Sequence, residues 1–377
     1  MRVVIAGGGP AGLFFAILMR QQDPSHEITV YERNRPDDTF GWGVVFSGKT
    51  RRELAAADPA TAAALEPLWM LWEDVVVVHR GERVRIGGNH FAGIARITLL
   101  KVLQDRCREL GIDVRYGTEI TTVQDLPEHD LLVAADGLRS LVRDTFKAEF
   151  QPDLELRPNR YIWLGTPQMF HALTLTFRTN RDGLFIAHSY KFSPELSTFI
   201  VECDPESWHA AGLDRATEAE SLAYLEKVFE DDLAGRPLLS NQSRWIQFTT
   251  VRNRHWVCGK AALMGDAAHT AHFSIGSGTK LAMEDAVALA ESLASTRSVP
   301  EALAAYEADR LPAVSTYQQA AQSSLEWFEN ARQDLHLDPF ALALKVMTRS
   351  DRVTLESVRR RDPAFAEALL QRGVVTA

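Results

Sequence analysis

The sequence predicts an α/β fold: a parallel βαβ unit split in sequence, an inserted and mostly antiparallel β-sheet domain, and a helical C-terminus. Three observations carry this. The apolar run Val3-Val4-Ile5-Ala6 leads directly into the glycine turn Gly7-Gly8-Gly9-Pro10-Ala11-Gly12. Period-two alternation, as in Leu173-Thr174-Leu175-Thr176-Phe177-Arg178, gathers in the middle of the chain, as half-buried antiparallel strands require. From Ala261 a pattern of strand, glycine loop and helix returns.

The elements follow in order. Arg2 to Ala6 reads as a buried parallel strand. A helix from about Ala11 to Gln21 and a strand from Glu27 to Tyr31 complete the βαβ unit. Alanine-rich Arg51 to Leu71 is helical, and Trp72 to His79 and Arg83 to Ile86 are strands. Ile97 to Leu110 is a helix stopped by Gly111. Ile112 to Tyr116 and Asp130 to Ala135 are strands. Beyond Pro152, strands at Ile162–Gly165, Leu184–Lys191, Ser197–Cys203 and Arg244–Val251 surround one helix, Thr217 to Leu233. Ala262 to Met264 is a short strand and Leu281 to Ser295 a helix. Pro300 suits the first turn of another, and the chain stays helical to about Leu370. The expected domains are 1–71 with 93–151 and 252–330 for the split unit, 72–92 with 152–251 for the inserted sheet, and 331–377 for the C-terminal helices.

Composition narrows the class. The 377 residues allow one large domain or two intertwined ones. At 46% apolar and 24% charged, the chain buries a full core and is neither disordered nor fibrous. A net charge of -9 repels phosphate backbones, so no nucleic-acid partner is expected. The uncharged run Val3 to Met19 contains four glycines and a proline, which makes a poor membrane span. No signal-peptide pattern opens the chain. Cys107, Cys203 and Cys258 are odd in number and far apart, which fits core residues in a reducing cytoplasm and no metal centre.

The glycine turn is a GxGxxG. Gly7 permits the tight turn, Gly9 lets a pyrophosphate approach the backbone, and Gly12 lets the helix pack on the sheet. The helix start, from Ala11 on, offers free N–H groups to phosphate. Glu32 ends the second strand, where an acid holds an adenosine ribose hydroxyl. The spacing suits NAD and FAD alike, and the acid disfavours NADP. No second fingerprint exists, so a second dinucleotide would have no βαβ domain of its own. Two further motifs follow strands: Asp136-Gly137-Leu138-Arg139-Ser140-Leu141-Val142-Arg143, and Gly265-Asp266-Ala267-Ala268-His269 with Gly276-Ser277-Gly278-Thr279 and Glu284-Asp285. Asp266 can accept from a polyol, and the N–H groups of the Gly276–Thr279 loop can face a carbonyl or an anion.

With Tyr306-Glu307, Arg310 and Pro312 closing the series, this order resembles the single-component FAD-dependent aromatic hydroxylases of the 4-hydroxybenzoate hydroxylase fold. The segments Gly41-Trp42-Gly43-Val44-Val45-Phe46, Gly93-Ile94-Ala95-Arg96, Tyr161 to Thr166, Ser197 to Glu202 and His269 to Gly276 resemble one branch. It holds the salicyloyl-CoA 5-hydroxylases and 2-aminobenzoyl-CoA monooxygenases, with the violacein-pathway hydroxylase of a tryptophan-derived substrate similar. The resemblance implies FAD held by Gly7, Gly9, Pro10, Ala11, Gly12, Glu32, Arg33, Arg96, Asp136, Asp266, Gly276, Gly278 and Thr279. It implies NADH or NADPH as transient reductant, O2 as co-substrate, and hydroxylation of an electron-rich ring through a flavin C4a-hydroperoxide. The expected substrate is an aryl-CoA thioester such as salicyloyl-CoA. A free aromatic acid or a tryptophan-derived compound is the alternative, and a non-catalytic FAD-binding module is the alternative from another class. A halogenase ranks low, because no WxWxIP segment is present. The expected assembly is a monomer or homodimer.

Such chemistry requires no metal, nucleophile or triad, because the cofactor supplies it. Pocket candidates are His188 and Tyr190 on one strand, His272 and Phe273 in the flavin loop, and Trp163. Each also reads as an ordinary core residue. Many relatives carry proline where this chain has Phe273. The cationic groups Arg51-Arg52, Arg80/Arg83/Arg85 and Arg157/Arg160 are candidates for CoA phosphates, although such groups are usually solvated. Arg359-Arg360-Arg361 reads as a solvated face.

Overall fold

The computed structural model describes residues 1–39 and 41–376; Ala377, at the end of the C-terminal segment, lies outside them. Its first sheet has the order β15 (Val257–Cys258), β16 (Ala261–Leu263), β9 (Leu131–Ala134), β1 (Arg2–Ala6), β2 (Glu27–Tyr31) and β8 (Asp113–Arg115). All neighbours pair in parallel except β15 with β16. β1 and β9 read as continuous apolar runs because they are buried on both faces. The helices Pro10–Gln22, Arg96–Glu109 and Gly278–Ser295 share their core.

The second sheet has the order β14 (Ile246–Asn253), β10 (Pro152–Thr166), β13 (Ser197–Cys203), β12 (Gly183–Lys191), β11 (Leu173–Asn180), β5 (Val75–His79) and β6 (Glu82–Ile86). Only β11 with β5 is parallel. Its two faces follow from the strand period. Ile162, Leu164, Phe185, Ala187, Phe199 and Val201 pack against the helix Glu218–Val228 and its neighbours. The alternate residues face the other way. Trp163 and His188 both lie opposite Ile200, and Tyr161 and Ile186 both lie opposite Glu202. The helices Pro339–Thr348, Leu355–Arg361 and Pro363–Gln371 cover the β5–β6 end of that face, over Val75, Phe177 and Ile186. No second βαβ fingerprint lies in this block.

The third sheet, β3 (Gly43–Ser47), β7 (Phe91–Ala95) and β4 (Met70–Trp72), departs from expectation. Glycine weakens a strand signal, yet here it marks close approach. A Cβ on Gly43 would lie 2.4 Å from Phe192 Cβ, and one on Gly93 would lie 2.4 Å from the Lys191 carbonyl oxygen. The expected helix Thr217–Leu233 is two, Glu218–Val228 and Glu230–Leu233, preceded by Pro205–Ala210. The stretch read as one helix from Arg51 to Leu71 breaks at Asp58, which caps a second helix, Pro59–Leu65. β10 is longer than expected because it begins at Pro152 and passes a bulge between Leu156 and Arg160, which hides its alternation. Among the described residues, no helix is long and apolar enough to cross a membrane.

Candidate functional site

The strand order β16-β9-β1-β2 sets four loops side by side at the carboxyl ends of parallel strands, where open α/β sheets bind ligands. Asp266 follows β16, Asp136 follows β9, the glycine turn follows β1 and Glu32 follows β2. Gly7 has φ +102°, and a Cβ there would lie 2.2 Å from the Ala135 carbonyl oxygen. A Cβ on Gly12 would lie 2.1 Å from the Gly7 carbonyl oxygen. These two glycines shape the turn. Gly9 is different: a Cβ there would meet nothing within 4 Å. Its side faces open space.

Glu32 tethers this loop. Its carboxylate accepts from Gly8 N at 2.8 Å, and from Asn34 N at 2.8 Å and Nδ2 at 2.7 Å. Arg33 beside it is exposed. The helix starts at Pro10 and Gly278 carry no side-chain cap and no acid in the first turn, leaving amide N–H groups for an anion. The two helices approach each other at Gly265, where an added Cβ would lie 3.1 Å from Ala282 and 3.7 Å from Ala11. Asp266 is solvent-exposed, yet surrounding protein raises its carboxyl pKa, against the pull of Arg96 and His269. Burial lowers the Arg96 pKa while the charges of Asp266 and Glu32 pull it up, so Arg96 lies within electrostatic reach of both acids. Asp136 accepts from Leu141 N at 2.7 Å and Val142 N at 3.4 Å, and its Oδ1 is buried without a partner. Burial raises its pKa. Open space at Gly9, two uncapped helix starts and a spare acid oxygen fit a diphosphate flanked by hydroxyl groups.

The Gly265–His269 loop is braced from behind. Asp285 is fully buried and accepts from Gly265 N at 3.0 Å, His269 Nε2 at 2.7 Å and Arg310 Nε at 2.9 Å. Tyr306 donates to the Leu263 carbonyl at 2.9 Å, and His269 stacks on Trp256. The Glu284-Asp285, Tyr306 and Arg310 positions thus fix the loop backbone.

A second cluster occupies the other face of β10, β12 and β13, away from the helix Glu218–Val228. His188 Nε2 lies 3.0 Å from Glu202, both buried. Burial pushes the Glu202 carboxyl up, but the bond and charge of His188 outweigh it and hold it below its ordinary range. An ionised carboxylate only accepts, so Nε2 carries a proton, and in the neutral ring Nδ1 is the acceptor. Asn159 Nδ2 donates to the other Glu202 oxygen at 3.1 Å. The Phe273 ring packs on His188 at 5.3 Å, Tyr161 at 4.7 Å and His272 at 4.1 Å. A narrow, largely closed cleft lies here, lined by Arg157, Tyr161, Glu202, Phe248, His272 and Phe273 among others.

Of the five pocket candidates, His188, His272 and Phe273 come together. Tyr190 and Trp163 do not join them. The Tyr190 hydroxyl donates to the Gly43 carbonyl at 2.8 Å and its ring stacks on Trp72, so it ties β3 to the sheet. Trp163 packs against Gly41. Glu202 had a sequence signal: it is the one charge in the apolar strand Ser197–Cys203. The cationic candidates are mostly engaged. Arg51 pairs with Glu66, Arg85 with Asp74 and Arg157 with Glu329 and Glu155, and Arg160 lies over Trp208. Arg52, Arg80 and Arg83 are exposed. Among the described residues, no His/Cys/Asp/Glu group has the arrangement of a metal site.

Residues 128–321 match the family described as FAD binding domain. The chain is 46% identical to a salicyloyl-CoA 5-hydroxylase of a Streptomyces species, over 97% of this chain and 73% of that protein. The chain belongs to the FAD-dependent aromatic monooxygenases. It is also 38% identical to the 3-hydroxy-4-methyl-anthranilyl-[aryl-carrier protein] 5-monooxygenase of Streptosporangium sibiricum, over 87% of this chain and 89% of that one. The crystal structure of 2-methyl-3-hydroxypyridine-5-carboxylic acid oxygenase superposes with a TM-score of 0.72 at 20% identity, covering 96% of this chain and 98% of that one, which shows a shared fold. This FAD-dependent monooxygenase is therefore an enzyme and not a silent cofactor-binding module, and its Rossmann-like part carries the inserted sheet as expected.

Proposed function

We propose that this monooxygenase hydroxylates an electron-rich aromatic acyl group carried as a CoA thioester, with salicyloyl-CoA hydroxylated at carbon 5 as the leading case. The observation that carries the reading is the 46% identity to a salicyloyl-CoA 5-hydroxylase across nearly the whole chain. The second relative acts, by its name, on a ring held by a carrier protein, so in both the ring is tethered. Bound FAD, reduced by NADH or NADPH, supplies the activated oxygen from O2.

The chain's own residues bind, orient and shield. Gly7, Gly9 and Gly12, with the N–H groups from Ala11 onward, hold the pyrophosphate, and Glu32 takes the adenosine ribose. Arg96, Asp136 and Asp266 serve the pyrophosphate and ribityl chain. The Gly276–Thr279 amides face the flavin ring. Residues 1–71, 93–151 and 252–330 then form the FAD-binding domain, 72–92 and 152–251 the substrate domain, and 331–377 the helices that close its far end. In the ring pocket, Phe273 and Tyr161 exclude water. His188, oriented by Glu202, offers Nδ1 to accept a ring hydroxyl or amine proton, which makes the ring more electron-rich.

The test compares salicyloyl-CoA, 2-aminobenzoyl-CoA, the free acids and tryptophan-derived indoles. Stimulated NAD(P)H oxidation coupled to a hydroxylated product is expected with a thioester. Coupled turnover of a free acid or an indole, with no response to either thioester, rejects the CoA reading.

A further inference from the structure

We propose that His272 is a fixed hydrogen-bond donor that positions the substrate: its ring is locked with the proton on Nε2, and that N–H recognises an acceptor oxygen of the aromatic acyl group. This rests on the aromatic hydroxylase reading above.

The lock is a one-way chain of hydrogen bonds. It begins at Arg349, whose guanidinium can only donate. Arg349 Nε donates to Ser324 Oγ at 2.8 Å. Ser324 Oγ lies 2.8 Å from Ser274 Oγ, which lies 2.8 Å from His272 Nδ1. The order that satisfies every group runs Arg349, Ser324, Ser274, His272, each hydroxyl accepting once and donating once. A second donor reaches the same atom: the Ser274 backbone N–H points at Nδ1 at 3.4 Å. A backbone amide has no acceptor role to exchange, so Nδ1 is the acceptor and Nε2 carries the hydrogen.

The surroundings keep the ring neutral. Burial depresses its pKa to about 3, and the charges of His188, Arg349 and Arg157 push the same way against Glu202. Arg349 itself is held by the Ser274 carbonyl at 2.7 Å, by the Val346 carbonyl and by the Phe328 face. Among the described residues it has no carboxylate in hydrogen-bond contact. A partly buried guanidinium devoted to a serine hydroxyl and two carbonyls is costly for orientation alone, unless the orientation is used.

It is used at the cleft. His272 lines both the cleft and the adjoining groove beside Gln318 and Gln322. Among the described residues, no group accepts from its Nε2. The Phe273 ring touches His272 on one side and His188 on another. His188, when neutral, presents an acceptor at Nδ1, and His272 presents a donor. An aromatic acyl group with an ortho hydroxyl or amine offers the matching pair, a donor beside a carbonyl acceptor. A ring lacking the carbonyl leaves the buried N–H unsatisfied.

The experiment uses FAD-loaded protein and the variants His272→Gln and His272→Leu. Glutamine places an amide N–H near the reach of Nε2, and leucine keeps the bulk without a donor. Salicyloyl-CoA binding is followed by perturbation of the flavin absorbance, and imidazole tautomers by nitrogen-15 NMR of histidine-labelled protein. Wild type and the glutamine variant are expected to bind within a few-fold of each other, and the leucine variant roughly tenfold weaker or worse. The wild-type spectrum should contain one ring with bare Nδ1 and protonated Nε2, unchanged across roughly pH 5 to 8 and missing from both variants. A His272 signal that titrates there, or that carries its proton on Nδ1, overturns the proposal. Leucine binding equal to wild type overturns it as well. A wild type with no response to the thioester overturns the function reading and this one together, whereas a responsive wild type matched by the leucine variant overturns this one alone. If His272→Leu fails to hold FAD, the wild-type spectrum carries the test: salicyloyl-CoA should shift the protonated Nε2 resonance of His272 and leave its tautomer unchanged, and a signal that does not move overturns the proposal.

Discussion

Gly9→Val is expected to strip the enzyme of FAD while leaving the polypeptide folded. The backbone at Gly9 is extended, with φ -76° and ψ -179°, a conformation a β-branched residue adopts readily. Its Cβ would meet no protein atom within 4 Å. The added side chain therefore projects into the space proposed for the pyrophosphate and costs the fold little. Displacing the phosphates from two charge-assisted N–H contacts loses roughly 1.5–3 kcal/mol each, so FAD affinity should fall about a hundredfold or more. The ratio of flavin to protein absorbance after purification reads this directly, with circular dichroism of the apoprotein as the check on folding. Gly7→Val is the contrast. Its Cβ would collide with the Ala135 carbonyl at 2.2 Å and its φ is +102°, so that variant should lose fold and flavin together. Full flavin occupancy in Gly9→Val would remove the pyrophosphate from this turn.

The difference between these two glycines shows how much the sequence tells. The motif places both at a strand-to-helix turn, and the parallel register of β1 with β2 and β9 brings Glu32, Asp136 and the turn to one edge, as local pattern and spacing suggest. Which glycine faces protein and which faces ligand depends on Ala135, more than a hundred residues away. The same holds for the substrate face. Alternation in β12 and β13 predicts that His188 and Glu202 each share a face with their neighbours two residues away, but only the register of Glu202 opposite Ile186 makes them partners. His272 reads as a pocket candidate in sequence. The proposed tautomer, Nδ1 accepting and Nε2 donating, depends on Ser324 and Arg349 far along the chain, where composition shows only solvated helix. β3 and β7 were illegible for a related reason: their glycines look like breakers until Phe192 and Lys191 are seen against them.

Asp285→Ala should produce a large loss of stability in the FAD-binding part. The carboxylate is wholly buried and accepts three hydrogen bonds, from Gly265 N, His269 and Arg310. Alanine leaves the Arg310 guanidinium with the longer Glu284 contact at 3.5 Å as its remaining ion pair, and leaves the Gly265 amide bare. Removing one partner of such a buried pair costs about 3–5 kcal/mol, a large share of the roughly 5–15 kcal/mol that holds a domain together. The loop carrying Asp266 loses its brace at the same time, so flavin retention should fall with the thermal midpoint. The pH dependence has a definite sign. Burial raises the Asp285 pKa, but His269, Arg310 and the Gly265 amide outweigh it and leave it below its ordinary value. A carboxyl depressed in the folded state stabilises fully above its unfolded pKa of about 3.9 and loses that contribution as pH falls through the folded value. Wild type should therefore weaken on the acid side, and Asp285→Asn, isosteric but unable to ionise, should be weaker at neutral pH and show a shallower acid slope. Thermal midpoints of both proteins measured from neutral pH downward decide it: parallel acid limbs, or an alanine variant as stable as wild type, would mean that the three contacts at Asp285 do not hold this loop.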